Sequence, residues 1–113
     1  MVKKVLLASV FILAVFHFFG CGEIITGPMN SLALSWTAPT TNEDETELED
    51  LCGYMIYYGN ESSNYFRTMN VFAYHTNAVV SDLGPGTWYL SVTAYDFYGN
   101  ESDFSNEVVH TFE

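Results

Sequence analysis

Apolar residues recur at every second position along residues 88–95 of this 113-residue chain. One row comprises Trp88, Leu90, Val92 and Ala94, and the other comprises Tyr89, Ser91, Thr93 and Tyr95. Successive side chains of a strand point to opposite faces of a sheet, whereas a helix would scatter each row around its axis. The pattern therefore predicts a long strand whose first row faces a core and whose second row faces outward.

Five shorter segments carry weaker forms of the same signal, and turn residues separate them. We predict strands at residues 31–36, 53–59, 65–71, 77–81 and 106–112. No segment keeps a helical period over three turns. Six or seven short strands within about 90 residues predict an all-β, two-sheet sandwich.

Acidic side chains dominate the charge: 14 carboxylates stand against three lysines and arginines, which gives a formal charge of −11. A nucleic-acid-binding protein needs a basic surface to neutralise phosphates, so we exclude that class. Six of the carboxylates fall within residues 43–50. We interpret this run as a solvated loop, because like charges so close repel one another and the spacing of a calcium loop is absent. Weak calcium binding is the alternative.

The N-terminus has the composition of a secretory signal peptide. Two lysines precede residues 5–19, which contain no acidic residue, and Gly20 and Cys21 follow. This apolar run is shorter than the ~20 residues that a membrane-spanning helix needs. Residues 18–21 resemble a bacterial lipoprotein box, in which the cysteine is lipidated and becomes the mature N-terminus. The alternative is ordinary cleavage, with Cys21 an incidental thiol.

The lipoprotein resemblance divides the chain into a signal peptide that is removed (1–20), a lipidated N-terminus with a short tether (21–29) and a domain (30–113). The mature chain then has one arginine against 14 carboxylates, a formal charge of −13. That charge disfavours electrostatic docking on anionic lipids, so acyl chains on Cys21 would hold the protein at the membrane. The resemblance favours the outer membrane of the cell envelope, because Gly22 replaces the Asp that commonly retains lipoproteins at the inner membrane.

Six segments of the mature chain resemble, in order and spacing, the fibronectin type III domain. They are residues 34–39 (LSWTAP), 53–59 (GYMIYYG), 83–87 (LGPGT), 92–96 (VTAYD), 98–102 (YGNES) and 105–108 (SNEV). The resemblance covers roughly residues 30–112. It implies an immunoglobulin-like sandwich of about seven strands, in which a sheet of three strands packs on a sheet of four and Trp36 lies in the core.

The same resemblance implies an aromatic residue at the corner before the sixth strand, where a tyrosine hydroxyl usually bonds back to the chain. Trp88 and Tyr89 both stand near that position. Alternation selects Trp88 as the inward residue, but we expect that an indole does not reproduce the bond of a tyrosine hydroxyl, which leaves Tyr89 as the other candidate. The first strand of the family is poorly represented, because only Ile24 and Ile25 are available for it.

We predict no enzyme, no cofactor and no metal site. The mature chain has two histidines, His75 and His110, and no serine lies in a Gly-x-Ser-x-Gly motif. Nucleophilic catalysis needs a base oriented beside its nucleophile, and zinc needs three or four Cys or His ligands at recognisable spacing. Cys52 is left without a partner in the mature chain, and we interpret it as a small, partly buried thiol.

The outward tyrosines are the candidate binding surface, on the four-stranded sheet and its adjoining loop. The candidate residues are Met55, Tyr57, Tyr89, Tyr95, Phe97 and Tyr98. Such rings suit recognition of a protein or a glycan. A coplanar exposed platform would favour a sugar, and a flat protruding patch would favour a protein. Scattered rings that only stabilise the sheet would favour a structural spacer or assembly subunit. We therefore predict an anchored, extracytoplasmic protein-binding or accessory module, with the spacer and a carbohydrate-binding module as alternatives.

Overall fold

The computed structural model describes residues 10–18, 29–42 and 44–112, and every helix or strand in these ranges is a β-strand. The strands are β1 (Val10–Phe18), β2 (Met29–Trp36), β3 (Leu51–Gly59), β4 (Arg67–Phe72), β5 (Asn77–Leu83), β6 (Gly86–Asp96) and β7 (Val108–Phe112). Each strand predicted from the sequence has a counterpart among β2 to β7. These ranges contain no helix that is both long and apolar enough to cross a membrane.

The strands form two antiparallel sheets, ordered β1-β2-β5 and β4-β3-β6-β7. Between them lies one core, made by the inward rows of both sheets. The core residues are Leu32, Leu34, Trp36, Tyr54, Ile56, Val71, Val80, Leu83, Trp88, Leu90, Val92, Ala94 and Phe112. Trp36 meets Tyr54 of the opposite sheet edge to face, with ring centroids 5.1 Å apart. The prediction of an all-β, two-sheet sandwich of the immunoglobulin-like kind is confirmed.

The three-stranded sheet takes its edge strand from the N-terminal apolar run. β1 pairs with β2 along its whole length, with one irregularity in the register. The sequence interpretation assigns these residues to a signal peptide, and that assignment stays a prediction. Ile24 and Ile25, the residues available for a first strand in the mature domain, lie outside the described residues.

Trp88 fills the corner at the start of β6. Its side chain is only 4% exposed, and its indole Nε1 donates a hydrogen bond of 2.9 Å to the carbonyl of Gly84. The expectation that an indole does not reproduce the tyrosine bond is therefore wrong. The N–H reaches a carbonyl four residues upstream because the chain turns at Gly86, whose φ is +112°. Tyr89 is half-buried on the other side of the strand.

The chain before β7 follows the edge of β6 without forming a regular strand. Backbone N–H groups of Ser102 and Ser105 donate to the carbonyls of Ala94 and Val92 at 2.8 and 2.9 Å. In return, the two serine hydroxyls accept the N–H groups of Ala94 and Val92, both at 2.9 Å. The serine side chains replace the backbone acceptors of a regular ladder, so residues 101–106 stay attached to the sheet while β7 begins only at Val108.

Candidate functional site

The outer face of the four-stranded sheet, meaning the side turned away from the core, carries four of the six candidate residues. Met55 and Tyr57 lie on β3, and Tyr89 and Tyr95 lie on β6, all four half-buried by their neighbours. The remaining two residues, Phe97 and Tyr98, follow the end of β6 and are 72% and 84% exposed. The structure therefore places four candidates on one sheet surface and two in the turn at its end.

Tyr95 is fixed across the sheet. Its hydroxyl donates a hydrogen bond of 2.6 Å to Oδ1 of Asn70 on β4, so its ring crosses the intervening strand β3. Gly53 makes this crossing possible. A Cβ at that position would lie 2.8 Å from the Tyr95 hydroxyl and 2.6 Å from the carbonyl oxygen of Val71. Tyr95 therefore has a structural role in addition to its place on the surface.

Two aromatic residues that the sequence analysis did not select complete a cluster around Tyr57. The ring centroid of Tyr57 lies 5.0 Å from that of Phe104 and 6.3 Å from that of Tyr65, and the last two are 5.6 Å apart. We call these three residues the aromatic cluster. Phe104 is 56% exposed. Tyr65 begins the weakly predicted strand 65–71 but precedes β4 in the structure, and Phe104 lies outside every predicted strand, so alternation did not place either residue on the outer face.

Two glutamates are bound to the tyrosines of this cluster. Glu101 Oε2 accepts hydrogen bonds from the Tyr57 hydroxyl and, at 2.6 Å, from the Thr93 hydroxyl. Glu107 Oε2 accepts a bond of 2.5 Å from the Tyr65 hydroxyl. Each carboxylate is thus held in place by neutral donors beside an aromatic ring.

The ionisation of these groups reflects the same bonds. Burial, together with the hydrogen bond and charge of Glu107, raises the pKa of Tyr65 to about 12. Burial and the neighbouring Glu101 likewise raise the pKa of Tyr57. Burial acts to raise the pKa of Glu107 as well, but donors from Tyr65, Ser62 and Ser63 outweigh it and lower that pKa. The tyrosines therefore stay neutral donors and Glu107 stays ionised at neutral pH.

A groove of about 370 Å³ opens beside the aromatic cluster. Its lining residues are Tyr57, Thr93, Glu101, Ser102, Asp103 and Phe104. Rings form part of its wall, and two carboxylate side chains form another part. Such a surface combines apolar contact area with negative charge.

A second pair of exposed rings lies at the end of β4. Phe72 and Tyr74 are 66% and 78% exposed, and their ring planes are inclined by only 3°, with centroids 5.8 Å apart. The exposed ring of His75 lies 4.4 Å from Tyr74. Because its planes are parallel, this pair differs from the aromatic cluster, whose planes are inclined by 43° to 79°.

The other residues considered from the sequence lie apart from these surfaces. Cys21, the predicted lipidation site, is outside the described residues. Cys52 is a half-buried free thiol on β3. His110, half-buried on β7, stacks edge to face on Phe112 with centroids 4.6 Å apart. In the part of the chain that the structure describes, no three His, Cys, Asp or Glu side chains are grouped closely enough to hold a metal ion.

The acidic loop forms a turn with its own hydrogen bonds. Asn42 Nδ2 donates to the Thr46 hydroxyl at 3.0 Å, and the Thr46 backbone N–H donates to Asp44 Oδ1 at 3.1 Å. The side chains of Glu45, Glu47 and Glu49 are exposed. Solvated carboxylates around a turn agree with the interpretation of this segment as a surface loop.

Comparison with solved structures supports the fold. A myokine is 22% identical, with the alignment covering 74% of this chain and 83% of the myokine at a TM-score of 0.52. The spore cortex lytic enzyme SleM of Clostridium perfringens is 17% identical over 96% of this chain, with a TM-score of 0.55. A β-1,2-glucanase of Parabacteroides distasonis is 18% identical over 99% of this chain, with a TM-score of 0.59.

The chain spans 28% of the cortex lytic enzyme and 14% of the glucanase, so it corresponds to a small part of each enzyme. Neither a protein-family model nor a curated protein sequence matches it. At these identities the similarity concerns the fold alone. Strand order and structural similarity together define the chain as an all-β sandwich module consistent with a fibronectin type III-like domain.

Proposed function

We propose that the protein is a lipoprotein, anchored to the cell envelope through Cys21, whose sandwich domain binds a partner protein and catalyses no reaction. The observation that carries the proposal is the concentration of exposed and half-exposed rings on and beside the outer face of the four-stranded sheet. Aromatic side chains supply much of the binding energy in protein interfaces, because they bury a large area at a small entropy cost.

The exposure of these rings favours binding over a purely structural role. The Tyr95 hydroxyl donates a hydrogen bond to Asn70, so this residue contributes to the stability of the sheet. Phe97, Tyr98 and Phe104, by contrast, leave more than half of their surface in water. A ring stabilises the fold only through the area that it buries, at roughly 25 cal/mol per Å². Their uncovered area is available to a partner, so we favour a binding module over a spacer.

The environment of β2 supports the removal of the signal segment. Asn30 stands opposite His17 of β1, and the amide of Asn30 is buried without a hydrogen-bond partner in the described part of the chain. The hydroxyl of Ser31 is buried in the same unpaired state. An unpaired buried polar group costs about 1–3 kcal/mol. Removing residues 1–20 would remove β1, which pairs with β2 at both positions, and we expect water to gain access to this edge of the sheet.

The anchor is tested by intact mass spectrometry of the protein extracted from membranes. We expect a mature chain that begins at Cys21 and carries the added mass of acyl chains. A Cys21→Ser variant should lose the added mass and leave the membrane fraction. A chain that still begins at Met1 would contradict the proposal.

The binding role is tested by co-purification from detergent-solubilised envelopes. We expect the double variant Tyr57→Ala plus Tyr98→Ala to lose a partner protein that the wild type recovers. Val79→Ala is the matched control, because Val79 is exposed on the outer side of the other sheet. Equal recovery by the wild type and the double variant would count against the proposed surface.

Carbohydrate binding is the second candidate, and the parallel rings of Phe72 and Tyr74 favour it. Two parallel, exposed rings offer the kind of surface on which a sugar ring can stack. If this pair binds a glycan, Tyr74→Ala should abolish retention on cell-wall polysaccharide while Tyr57→Ala leaves it intact. No retention of the wild-type protein would eliminate this candidate.

A further inference from the structure

The outer face is negatively charged where its rings are exposed. Tyr57 and Phe104 stand beside the side chains of Glu101 and Asp103 in the groove of about 370 Å³. The Tyr57 and Phe104 ring planes are inclined by 79°, so the rings form walls of a concave surface and not a flat platform. This geometry suits an inserted side chain better than a sugar ring lying flat.

Among the residues that the structure describes, Glu101 forms no ion pair with a lysine or arginine. Glu101 receives its hydrogen bonds from the neutral hydroxyls of Tyr57 and Thr93, both through Oε2. Neither of these hydrogen bonds reaches Oε1 of Glu101. The Glu101 carboxylate is therefore held in a fixed position with one oxygen still able to accept a donor.

Arg67 is the only lysine or arginine in the described ranges, and it is engaged elsewhere. Its guanidinium lies 5.4 Å from the ring centroid of Trp88 and 5.5 Å from that of Phe66. One of its nitrogens also donates to the carbonyl of Asp82 at 3.3 Å. These contacts hold Arg67 at the corner of the sandwich, so it does not pair with Glu101.

We propose that the groove beside Phe104 binds an arginine side chain from a basic segment of the partner protein, an inference that rests on the proposed function. A guanidinium is planar and can stack on an aromatic ring while its N–H groups donate to a carboxylate. Phe104 supplies the exposed ring and Glu101 the accepting oxygen. The excess of carboxylates over bases, 14 to one in the mature chain, draws a basic segment toward the surface.

The same features argue against other occupants. An anionic lipid surface or a nucleic acid would be repelled by the carboxylates. A metal ion would find no group of three suitable side chains among the residues that the structure describes. A lysine could meet the carboxylate, but its ammonium group cannot stack as a plane on the ring. Preference for arginine over lysine is therefore the signature of the proposed site.

The test measures binding of two labelled nine-residue peptides to the full-length protein in neutral detergent, by fluorescence anisotropy. One peptide alternates arginine with serine, and the other has lysine in place of arginine. We expect the arginine peptide to bind about two- to fivefold more tightly, the factor that corresponds to about 0.5–1 kcal/mol for an exposed cation–π contact. Raising the salt concentration should weaken the binding of both peptides.

Three variants separate the groove from the overall charge. Glu101→Gln keeps an acceptor for Tyr57 and Thr93 but removes the charge, and Phe104→Ala removes the ring without changing the charge. We expect each variant to bind the arginine peptide at least about twofold more weakly than the wild type does. Glu47→Gln removes one charge from the exposed acidic loop and should weaken binding less than about twofold. Thermal unfolding by circular dichroism verifies that every variant is folded.

Equal affinity for the two peptides would overturn the inference and indicate diffuse electrostatic attraction. An equal loss of affinity for the arginine peptide in Glu101→Gln and Glu47→Gln would have the same meaning. Unchanged binding by Phe104→Ala would overturn it as well. A different result would contradict the proposed function. In that case the Tyr57→Ala plus Tyr98→Ala variant would recover as much partner protein as the wild type does. Loss of the partner in that variant, with no preference for arginine, would keep the binding role and eliminate only the arginine site.

Discussion

Replacing Trp88 by phenylalanine tests whether its indole N–H closes the corner of the sandwich. Trp88→Phe removes the donor that bonds the carbonyl of Gly84 at 2.9 Å, while an aromatic ring remains in the core. Trp88→Tyr is the matched variant, because a tyrosine hydroxyl makes the corresponding bond in the corner of related sandwiches. The pair of variants therefore separates the hydrogen bond from the volume of the ring.

The expected loss of stability has two parts. A hydrogen bond of this kind contributes about 1 kcal/mol net. The smaller phenylalanine ring leaves space at a site that is only 4% exposed, which costs about 1 kcal/mol more. The total of about 2 kcal/mol corresponds to a fall of roughly 10 °C in Tm for a domain of about 100 residues. Trp88→Tyr should recover about half of that loss, because the donor is restored.

Urea unfolding followed by far-ultraviolet circular dichroism measures the effect. This signal reports the sheets and does not depend on the number of tryptophans in each variant. A Trp88→Phe free energy of unfolding within about 0.5 kcal/mol of the wild type would refute the role of the indole. A Trp88→Tyr variant no more stable than Trp88→Phe would show that the ring volume, and not the hydrogen bond, matters at this corner.

Three further predictions concern the sheet, the turn after it and the response to pH. Gly53→Ala should lower the free energy of unfolding by about 1–3 kcal/mol, because its Cβ would stand 2.8 Å from the Tyr95 hydroxyl; unchanged urea unfolding would contradict this. Asp96→Ala should cost about 2–3 kcal/mol, because the buried carboxylate accepts two backbone N–H groups of the following turn at 2.9 Å each. A loss below about 0.5 kcal/mol would refute that role. Glu107, whose pKa is lowered in the folded state from 4.5, stabilises the fold above that pH, and this contribution disappears as the pH falls through the lowered pKa. Tyr65, whose pKa is raised from 10.0 to about 12, stabilises below pH 10 and loses its contribution between pH 10 and 12. Glu107→Gln should reduce the acid dependence of urea unfolding, and an identical pH profile would contradict the assignment.

The strands could be predicted from the sequence because one face of each is buried. The alternation that starts at Trp88 fixes which row of β6 faces the core, since a shift of one residue would turn the whole row to solvent. The corner was harder to predict. Trp88 and Tyr89 both carry a donor, and the choice between them depends on the path of the turn through Gly84 and Gly86, which alternation does not reveal.

The candidate site was predicted in part for the same reason. Alternation placed Tyr57 on the outer face, but its neighbour Tyr65 precedes the regular part of its predicted strand, and Phe104 lies outside every predicted strand. Tyr65 is brought in by a turn that folds back on Gly59, where a Cβ would stand 2.7 Å from the carbonyl oxygen of Asn64. Phe104 is placed by the serine hydroxyls that attach its segment to β6. These contacts join residues that are 5, 8 and 13 positions apart, with no common period, so alternation does not reveal them.

The central claim is that the outer face of the four-stranded sheet contacts a partner protein in the envelope. A photoreactive phenylalanine analogue placed at position 104, and in a second strain at position 79, tests it in intact cells that produce the protein. Both side chains are exposed, but on opposite sides of the sandwich. We expect light to yield one discrete crosslinked product from position 104 and none from position 79. Crosslinking at position 79 with none at position 104 would contradict the claim.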